Sequence, residues 1–358
     1  MKKGNVEEPG PGLRTWIYSR ATFDTEERAR EIVRYLLNHP QFAPTHFGEY
    51  EPLRRLTSDR MEQAIAMVVN RAGQELDSER VFSMVFFERR RWPRCSYTLE
   101  WSKLPHEAFA TSSYIIEEEF VREQEQLVQW LDFAFGLLSF HEAWYALLAL
   151  GIETHKKNFL VWRTQHSRAK DPVRGVTTVR GVGVKLEQGI PGIYWGNYFG
   201  PFYVDWFGRE KFETLPCVEK RWLDTGGIFF TTAPTPFEWD TPEARQLQQE
   251  VKEHLGADAF FDIETVRWMI RELEPIPETM RPEQFQPPRR VPEFPFKVEP
   301  PHYKSVEEEI KETREYFESQ GYTLVSVEER TVTFRDEKEG VLRVTVGPGG
   351  KVEYQPKQ

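Results

Sequence analysis

Residues 192–208 read GIYWGNYFGPFYVDWFG and combine eight aromatic side chains with four glycines. Tyr and Trp offer large apolar areas that carry a polar group, and glycine lets the backbone turn or approach other groups closely. A segment of this kind forms either buried core strands or an exposed recognition surface. We expect it to build mainly the core of the second half of the chain, while acidic loops around it contact a partner.

Composition and charge narrow the class of protein and of partner. The 358 residues are 39% hydrophobic and 29% charged, which is typical of a globular soluble protein. The net charge of −10 repels nucleic acid phosphates and anionic lipid and favours basic partners. A nuclease is one such partner, because its own surface must attract phosphate. We therefore expect a protein partner, no direct nucleic acid contact and no membrane contact.

The cysteines and the first residues indicate a compartment. Cys95 and Cys217 lie in apolar, strand-like stretches, and we expect buried free thiols. No apolar run is long enough to span a bilayer. The opening MKKGNVEEPGPG lacks the apolar region of a signal peptide. Together these features predict a cytoplasmic protein.

Proline content divides the chain. Nine of the 27 residues from 275 to 301 are proline, which lacks a backbone donor, so this segment is predicted to be an extended linker or strap. Residues 1–12 are predicted to be disordered. The main domain is predicted over 13–274, in two halves of about 13–165 and 175–274. A small C-terminal α+β domain with one helix and about four strands is predicted over 302–358.

The order of elements predicts an α+β fold. Strand candidates at 81–88, 94–101 and 111–118 precede a long helix over about 119–139, and residues 141–150 are expected to continue as a further helix. Strands and helices alternate without the regular spacing of βαβ units. We therefore predict mixed or antiparallel sheets packed with helices.

Short motifs predict no active site. The stretch from His141 to Tyr145 begins like a zinc-protease helix, but Tyr145 replaces the second histidine. Gly181 and Gly183 begin a dinucleotide fingerprint, yet Leu186 stands at the third glycine position. No phosphate-binding loop occurs. We expect no catalytic, cofactor-binding or metal-binding residues, no cofactor and no enzymatic activity.

Clustered charges are the candidate contact residues. Lys156 and Lys157 belong to a basic patch around 155–168, for which a solvated face or ion pairing is expected. Acidic residues at 117–119 lead into the long helix, where carboxylates suit the helix dipole. They could also mimic phosphates toward a basic partner. The candidate partner-binding residues are Glu117, Glu118, Glu119, Glu238, Asp240 and Asp258.

The aromatic segment also carries a family resemblance. Residues 193–212 and the following hairpin at 226–244 resemble the immunity protein 52 family of bacterial polymorphic toxin systems. More distantly, they are similar to type VI secretion immunity proteins paired with nuclease effectors. The matching positions are Tyr194, Trp195, Asn197, Tyr198, Gly200, Pro201, Tyr203, Val204 and Gly208. The resemblance covers about 13–270 and is strongest over 176–262, so the proline-rich segment and the tail lie outside it.

This resemblance implies an immunity protein that binds and neutralises a cognate toxin by stoichiometric occlusion. The implied partner is a basic nuclease domain, and the family is not enzymatic. Two alternatives stay open. The chain could be a non-catalytic subunit or scaffold of a bacterial defence assembly, with the tail docking a partner. It could also be a hydrolase, if His141, Glu142 and scattered carboxylates converge.

Overall fold

The computed structural model describes residues 12–73, 82–102, 109–163, 177–181, 186, 189–260, 290–296, 306–319, 321–329, 331–335, 340–345 and 351–355. The chain divides into two compact units. Unit 1 comprises Met1–Ile263 and Pro287–Val298, and unit 2 comprises Glu264–Gln286 and Glu299–Gln358. Of residues 1–12, for which we predict disorder, 1–11 lie outside the described part, whereas Gly12 is buried and its carbonyl accepts a hydrogen bond from the Gly151 N–H at 3.0 Å.

The helices and strands of the described residues confirm the α+β prediction. The helices are α1 (Glu26–Leu37), α2 (Met61–Gly73), α3 (Gln124–Phe140), α4 (Gly151–Asn158), α5 (Pro201–Phe207), α6 (Arg209–Glu213), α7 (Pro242–Leu255) and α8 (Val306–Ser319). The strands of unit 1 are β1 (Leu13–Ser19), β2 (His46–Gly48), β3 (Arg54–Arg55), β4 (Phe82–Arg89), β5 (Cys95–Ser102), β6 (Ala110–Ile116), β7 (Tyr145–Leu150), β8 (Phe159–Arg163), β9 (Thr177–Gly181), β10 (Gly196–Phe199), β11 (Glu219–Trp222) and β12 (Ile228–Thr231).

One antiparallel sheet organises unit 1. Its ten strands run in the order β11-β12-β10-β7-β1-β6-β5-β4-β2-β3, while β8 and β9 form a separate pair. The sheet contains strands from both predicted halves, so residues 13–165 and 175–260 contribute to one structure. Both ends of the sheet are short strands with exposed charged residues, Arg54–Arg55 at one end and Glu219–Arg221 at the other. None of the described helices is both long and apolar enough to cross a membrane.

The prediction of a helix over 141–150 is wrong. Tyr145–Leu150 forms β7, a central strand that pairs with β1 on one side and β10 on the other. All six of its residues are buried. Because both faces of the strand are covered, its sequence YALLAL shows no alternation between apolar and polar residues, and the strand pattern is hidden.

Unit 1 has one hydrophobic core on each face of this sheet. On β7, Ala146, Leu148 and Leu150 face the first core, and Tyr145, Leu147 and Ala149 face the second. Helices α1, α2 and α3 bury their apolar sides in the first core. Helices α5 and α6 and one side of α7 cover the second. The aromatic segment at 192–208 contributes side chains to both cores, with Trp195 in the first and Tyr194 in the second.

Unit 2 has its own core. Helix α8 packs with a four-stranded antiparallel sheet formed by β13 (Thr323–Glu328), β14 (Thr331–Arg335), β15 (Val341–Thr345) and β16 (Lys351–Gln355). Val332, Phe334, Leu342 and Val344 are buried in it. On β13, Val325 and Val327 are instead 50% and 44% exposed. The described residues of this unit form one helix and four strands.

The two cysteines are free thiols. Cys95 is buried as expected, and burial raises its pKa to about 12. Cys217 is half-buried. Burial outweighs the opposing effects of the Tyr97 hydrogen bond and the Arg89 charge, so the Cys95 thiol stays protonated and unreactive near neutral pH.

Candidate partner-binding surface

The aromatic segment is buried, as we expect from its sequence. Tyr194, Trp195, Tyr198, Phe199 and Tyr203 are each no more than 1% exposed. Phe199 stacks on Phe230 with ring centroids 5.8 Å apart. The segment passes from a buried loop into β10 and then into α5. Most of its aromatic side chains therefore stabilise the fold, whereas Phe202 and Trp206 on α5 are half-buried.

Polar atoms inside the segment are paired locally. The Asn197 side chain accepts a hydrogen bond from the Tyr194 N–H at 2.9 Å and donates one to the Tyr194 carbonyl at 2.8 Å. The Trp195 indole donates to the Ala233 carbonyl at 3.0 Å. A buried amide is tolerated because its donors and acceptors have partners. Asn197 thus shapes the turn before β10, which explains its place in the aromatic segment.

A buried ion pair lies beneath this turn. Glu153 on α4 is fully buried, and its Oε1 accepts from Lys157 Nζ at 2.6 Å and from the Trp195 N–H at 3.0 Å. Lys157 Nζ also donates to the Ile193 carbonyl at 2.7 Å and to Gln248 at 2.8 Å. Burial raises the pKa of Glu153 and lowers that of Lys157, and their mutual attraction opposes both shifts. The pair connects α4, the aromatic segment and α7.

The residues of the zinc-protease-like motif do not converge. His141 is 1% exposed and its Nε2 lies 2.5 Å from the Tyr114 hydroxyl. Glu142 points outward and pairs with Arg28 at 2.8 Å, with 65% of its side chain exposed. Across the described ranges, no group of three or more His, Cys, Asp or Glu side chains is arranged to hold a metal ion.

For the basic patch around 155–168 we expect either a solvated face or ion pairing, and two of its lysines do form ion pairs. Lys156 pairs with Asp240 at 2.9 Å, and Lys157 makes the buried contacts described above. His166 and Arg168, two further members of that patch, lie outside the described residues.

Two predicted partner-binding residues are held by arginines. Glu117 lies 3.1 Å from the Arg94 guanidinium and also accepts from the Arg94 N–H at 3.0 Å. Glu118 pairs with Arg122 at 2.6 Å. These two carboxylates therefore present less net charge than the sequence suggests, because each is matched by a neighbouring cation. Glu119, which follows them, is exposed.

The other three predicted partner-binding carboxylates lie at the two ends of α7, with Glu238 and Asp240 before it and Asp258 after it. Glu238 accepts from the Thr235 hydroxyl at 2.8 Å, and Asp240 pairs with Lys156. The Arg122 guanidinium lies 4.5 Å from the ring centroid of Phe237, so the region of Glu117–Glu119 and the region of Glu238 share one surface. Asp258 follows α7 and is exposed, and its carbonyl accepts from the Arg290 N–H.

This shared surface includes residues that the sequence analysis missed. Trp92 is 57% exposed, and its ring centroid lies 6.2 Å from that of Phe120. The side chains of Arg94 and Arg122 are 75% and 56% exposed. The sequence pattern that could have identified these residues is the stretch RRRWPR at 89–94, a basic stretch with an aromatic residue near its centre. We name the Trp92–Phe237 surface by its members: Trp92, Arg94, Glu117, Glu118, Arg122 and Phe237.

Comparison with known proteins gives a distant structural match. No family model matches the chain, and no curated protein matches it. Among solved structures, the Pseudomonas aeruginosa T6SS protein PA0821 matches with 8% sequence identity and a TM-score of 0.44. That match covers 74% of this chain and 86% of the other.

Proposed function

We propose that the chain is an immunity protein that binds a cognate bacterial toxin, a basic nuclease domain, through the Trp92–Phe237 surface. The toxin is blocked by stoichiometric occlusion, with no catalytic step. The assignment to polymorphic toxin or type VI secretion systems rests on the resemblance of residues 193–212. The protein acts in the cytoplasm, where a nuclease toxin would reach nucleic acid.

The observation that carries the binding proposal is the exposed Trp92, whose ring packs near Phe120, together with the exposed arginines Arg94 and Arg122, which lie two residues along the chain from Trp92 and Phe120 respectively. Trp and Arg are enriched among the residues that dominate binding energy at protein interfaces. Glu117 and Glu118 hold Arg94 and Arg122 in place, which lowers the entropy lost when a partner binds. Exposed Glu119 and the acidic net charge attract a basic domain and speed its association.

The test is protection of growing cells. The chain is co-expressed with the toxin encoded by the neighbouring gene, and growth is compared with and without it. We expect the wild type to restore growth and to form a one-to-one complex. Trp92→Ala and Arg122→Ala each lose about 2 kcal/mol of binding, about 30-fold in affinity, and protect less well.

Matched controls separate this surface from general effects. Tyr50→Ala removes another exposed aromatic residue, which is 74% exposed, and Arg209→Ala removes another arginine stacked on a ring. Both controls should protect like the wild type. Undiminished killing in the presence of the folded wild-type chain would contradict the proposed function.

A scaffold role is the second candidate, favoured by the exposed Val325 and Val327 of unit 2. In that case, unit 2 docks on another subunit of a bacterial defence assembly. Val325→Glu and Val327→Glu would then disrupt the assembly, because a charge must be desolvated at an apolar contact. If toxin neutralisation stays intact in these variants, unit 2 is not the docking element for the toxin.

A further inference from the structure

Residues 290–296, RVPEFPF, pack against unit 1 as an extended strap. They belong to the proline-rich segment, most of which lies outside the described residues. The Phe294 ring stacks on Phe202 at 5.6 Å with an interplanar angle of 18°. Phe296 lies under the Arg20 guanidinium, 3.8 Å from its ring centroid. The strap is therefore held by its aromatic side chains.

The receiving surface is formed by side chains from separate elements. Trp144 precedes β7 and contacts both strap phenylalanines, at 6.1 Å and 5.6 Å between centroids. Phe109, before β6, contacts the same two rings at 5.4 Å and 5.6 Å. Phe202 and Trp206 lie on α5. We call Arg20, Phe109, Trp144, Phe202 and Trp206 the Trp144 site.

Among the residues that the structure describes, the strap pairs with no strand. Arg290 donates its backbone N–H to the Asp258 carbonyl at 3.1 Å and places its guanidinium 4.5 Å from the Trp206 ring centroid. Glu293 and Pro295 are exposed, and Val291 is 38% exposed. Attachment through rings and one backbone hydrogen bond at its start, rather than a strand ladder, resembles the way aromatic surfaces bind proline-rich peptides.

We propose that the Trp144 site is a docking site for a partner segment containing proline and phenylalanine, and that the strap occupies it as the chain's own ligand. The chemistry of the occupant is read from the strap itself, because two phenylalanine rings and proline-restricted backbone fill the site. Arg20 adds a cation above one of the rings. A partner segment of the same chemistry displaces the strap. This proposal does not depend on the Trp92–Phe237 surface.

The strap competes as a tethered ligand. Because the strap belongs to the same chain as the site, we take its effective concentration as about 1 mM, the scale of a flexible tether. Against a free peptide with a dissociation constant of about 0.1 mM, it weakens apparent binding about tenfold. Loosening the strap should therefore open the site to a peptide that the wild type largely excludes.

The experiment uses the full chain and a labelled synthetic peptide, RVPEFPF. Fluorescence anisotropy measures its binding to the wild type and to the double variant Phe294→Ala and Phe296→Ala. We expect the variant to bind about tenfold more tightly than the wild type. A peptide with both phenylalanines replaced by alanine should not bind. Equal binding to both proteins, or binding to neither, would overturn the proposal.

Further variants keep the result interpretable. Glu293→Ala, on the exposed side of the strap, should exclude the peptide like the wild type. Phe202→Ala added to the strap variant should abolish binding. If circular dichroism shows that the double variant is unfolded, Arg290→Ala replaces it, because this variant retains both phenylalanines. It should bind the peptide between two- and tenfold more tightly than the wild type, and unchanged binding overturns the proposal.

A second copy of the chain is the competing occupant. Straps exchanged between copies would give a concentration-dependent dimer in analytical ultracentrifugation that the double variant lacks. That result would assign the site to self-association and overturn its assignment to a different partner. Trp92→Ala should leave peptide binding unchanged, so this experiment and the toxin-protection experiment fail independently.

Discussion

The imidazole of His141 is neutral in the fold because of its surroundings. Burial lowers its pKa to about 3, and the charge of Arg28 contributes in the same direction. Its ring packs edge-on against Phe23 at 5.1 Å between centroids. The missing second histidine predicts that no zinc-protease site forms here, whereas the contact of His141 with Tyr114 could be seen only in the fold.

We predict that His141 makes the protein sensitive to acid. The unfolded chain binds a proton at this group below about pH 6.5, whereas the folded chain resists protonation down to about pH 3. The contribution of the neutral His141 to the free energy of unfolding is therefore fully present above pH 6.5. It decreases as the pH drops below 6.5, by about 2 kcal/mol at pH 5. Denaturant unfolding from pH 7.5 to 5 measures this.

Two variants test the assignment to His141. His141→Phe should remove that part of the pH dependence. Tyr114→Phe keeps the imidazole and should keep the acid sensitivity while lowering stability at all pH values. An unchanged slope in His141→Phe would show that other groups are responsible.

The adjacent lysines Lys156 and Lys157 should differ greatly in importance. Lys157→Met leaves the fully buried Glu153 without its cation and should cost about 3–5 kcal/mol of unfolding free energy. Lys156→Met removes a pair whose lysine is 49% exposed and should cost less than about 1 kcal/mol. Urea unfolding of the two variants makes the comparison, and equal losses would contradict it.

The sequence pattern predicts some helices and strands much better than others. Helix α1 begins at its N-cap Thr25 and shows a regular apolar stripe, so its existence follows from spacing alone. Strand β7 does not, because its alanines and leucines favour helix and only its position between β1 and β10 makes it a strand. The proline content of the strap predicts its extended backbone. The rings that it packs against cannot be predicted in the same way, because they come from distant parts of the chain.

At the start of α5, Gly200 is required by close approach. A Cβ added there would lie 2.3 Å from the Ala143 carbonyl oxygen and 2.9 Å from that of Trp144. Gly200→Ala should therefore cost about 2 kcal/mol or more, because the backbone of both segments must shift. Gly73→Ala, whose added Cβ would meet none of the described atoms outside its own helix turn within 4 Å, should be neutral or stabilise by up to about 1 kcal/mol. Thermal unfolding of both variants checks the difference.

The whole molecule contains separate cores in its two units. The proline-rich segment indicated a main domain and a tail, whereas a single ten-stranded sheet through both predicted halves could not be predicted from the sequence. Its strand order depends on pairings between residues far apart in sequence, such as β1 with β6 and β7. The Trp92–Phe237 surface likewise joins residues 92, 122 and 237, which no local pattern connects.

Separate cores predict separate responses to core mutations. Phe334→Ala in unit 2 should cost about 3–5 kcal/mol, and the loss should be confined to that unit. Hydrogen exchange should accelerate across β13–β16 and stay slow in β7. The reverse pattern is expected for Leu148→Ala in unit 1. Faster exchange in both units from either variant would show that they unfold together.

The charged strands at the two ends of the large sheet have a consequence for the behaviour of many copies together. Backbone groups at an open sheet end are a template for intermolecular pairing and fibril growth. Arg54–Arg55 is too short to offer a long template, and Glu219–Arg221 presents exposed charges on three successive residues. An added strand would have to strip water from these charges, so the sheet resists extension even when the protein is abundant.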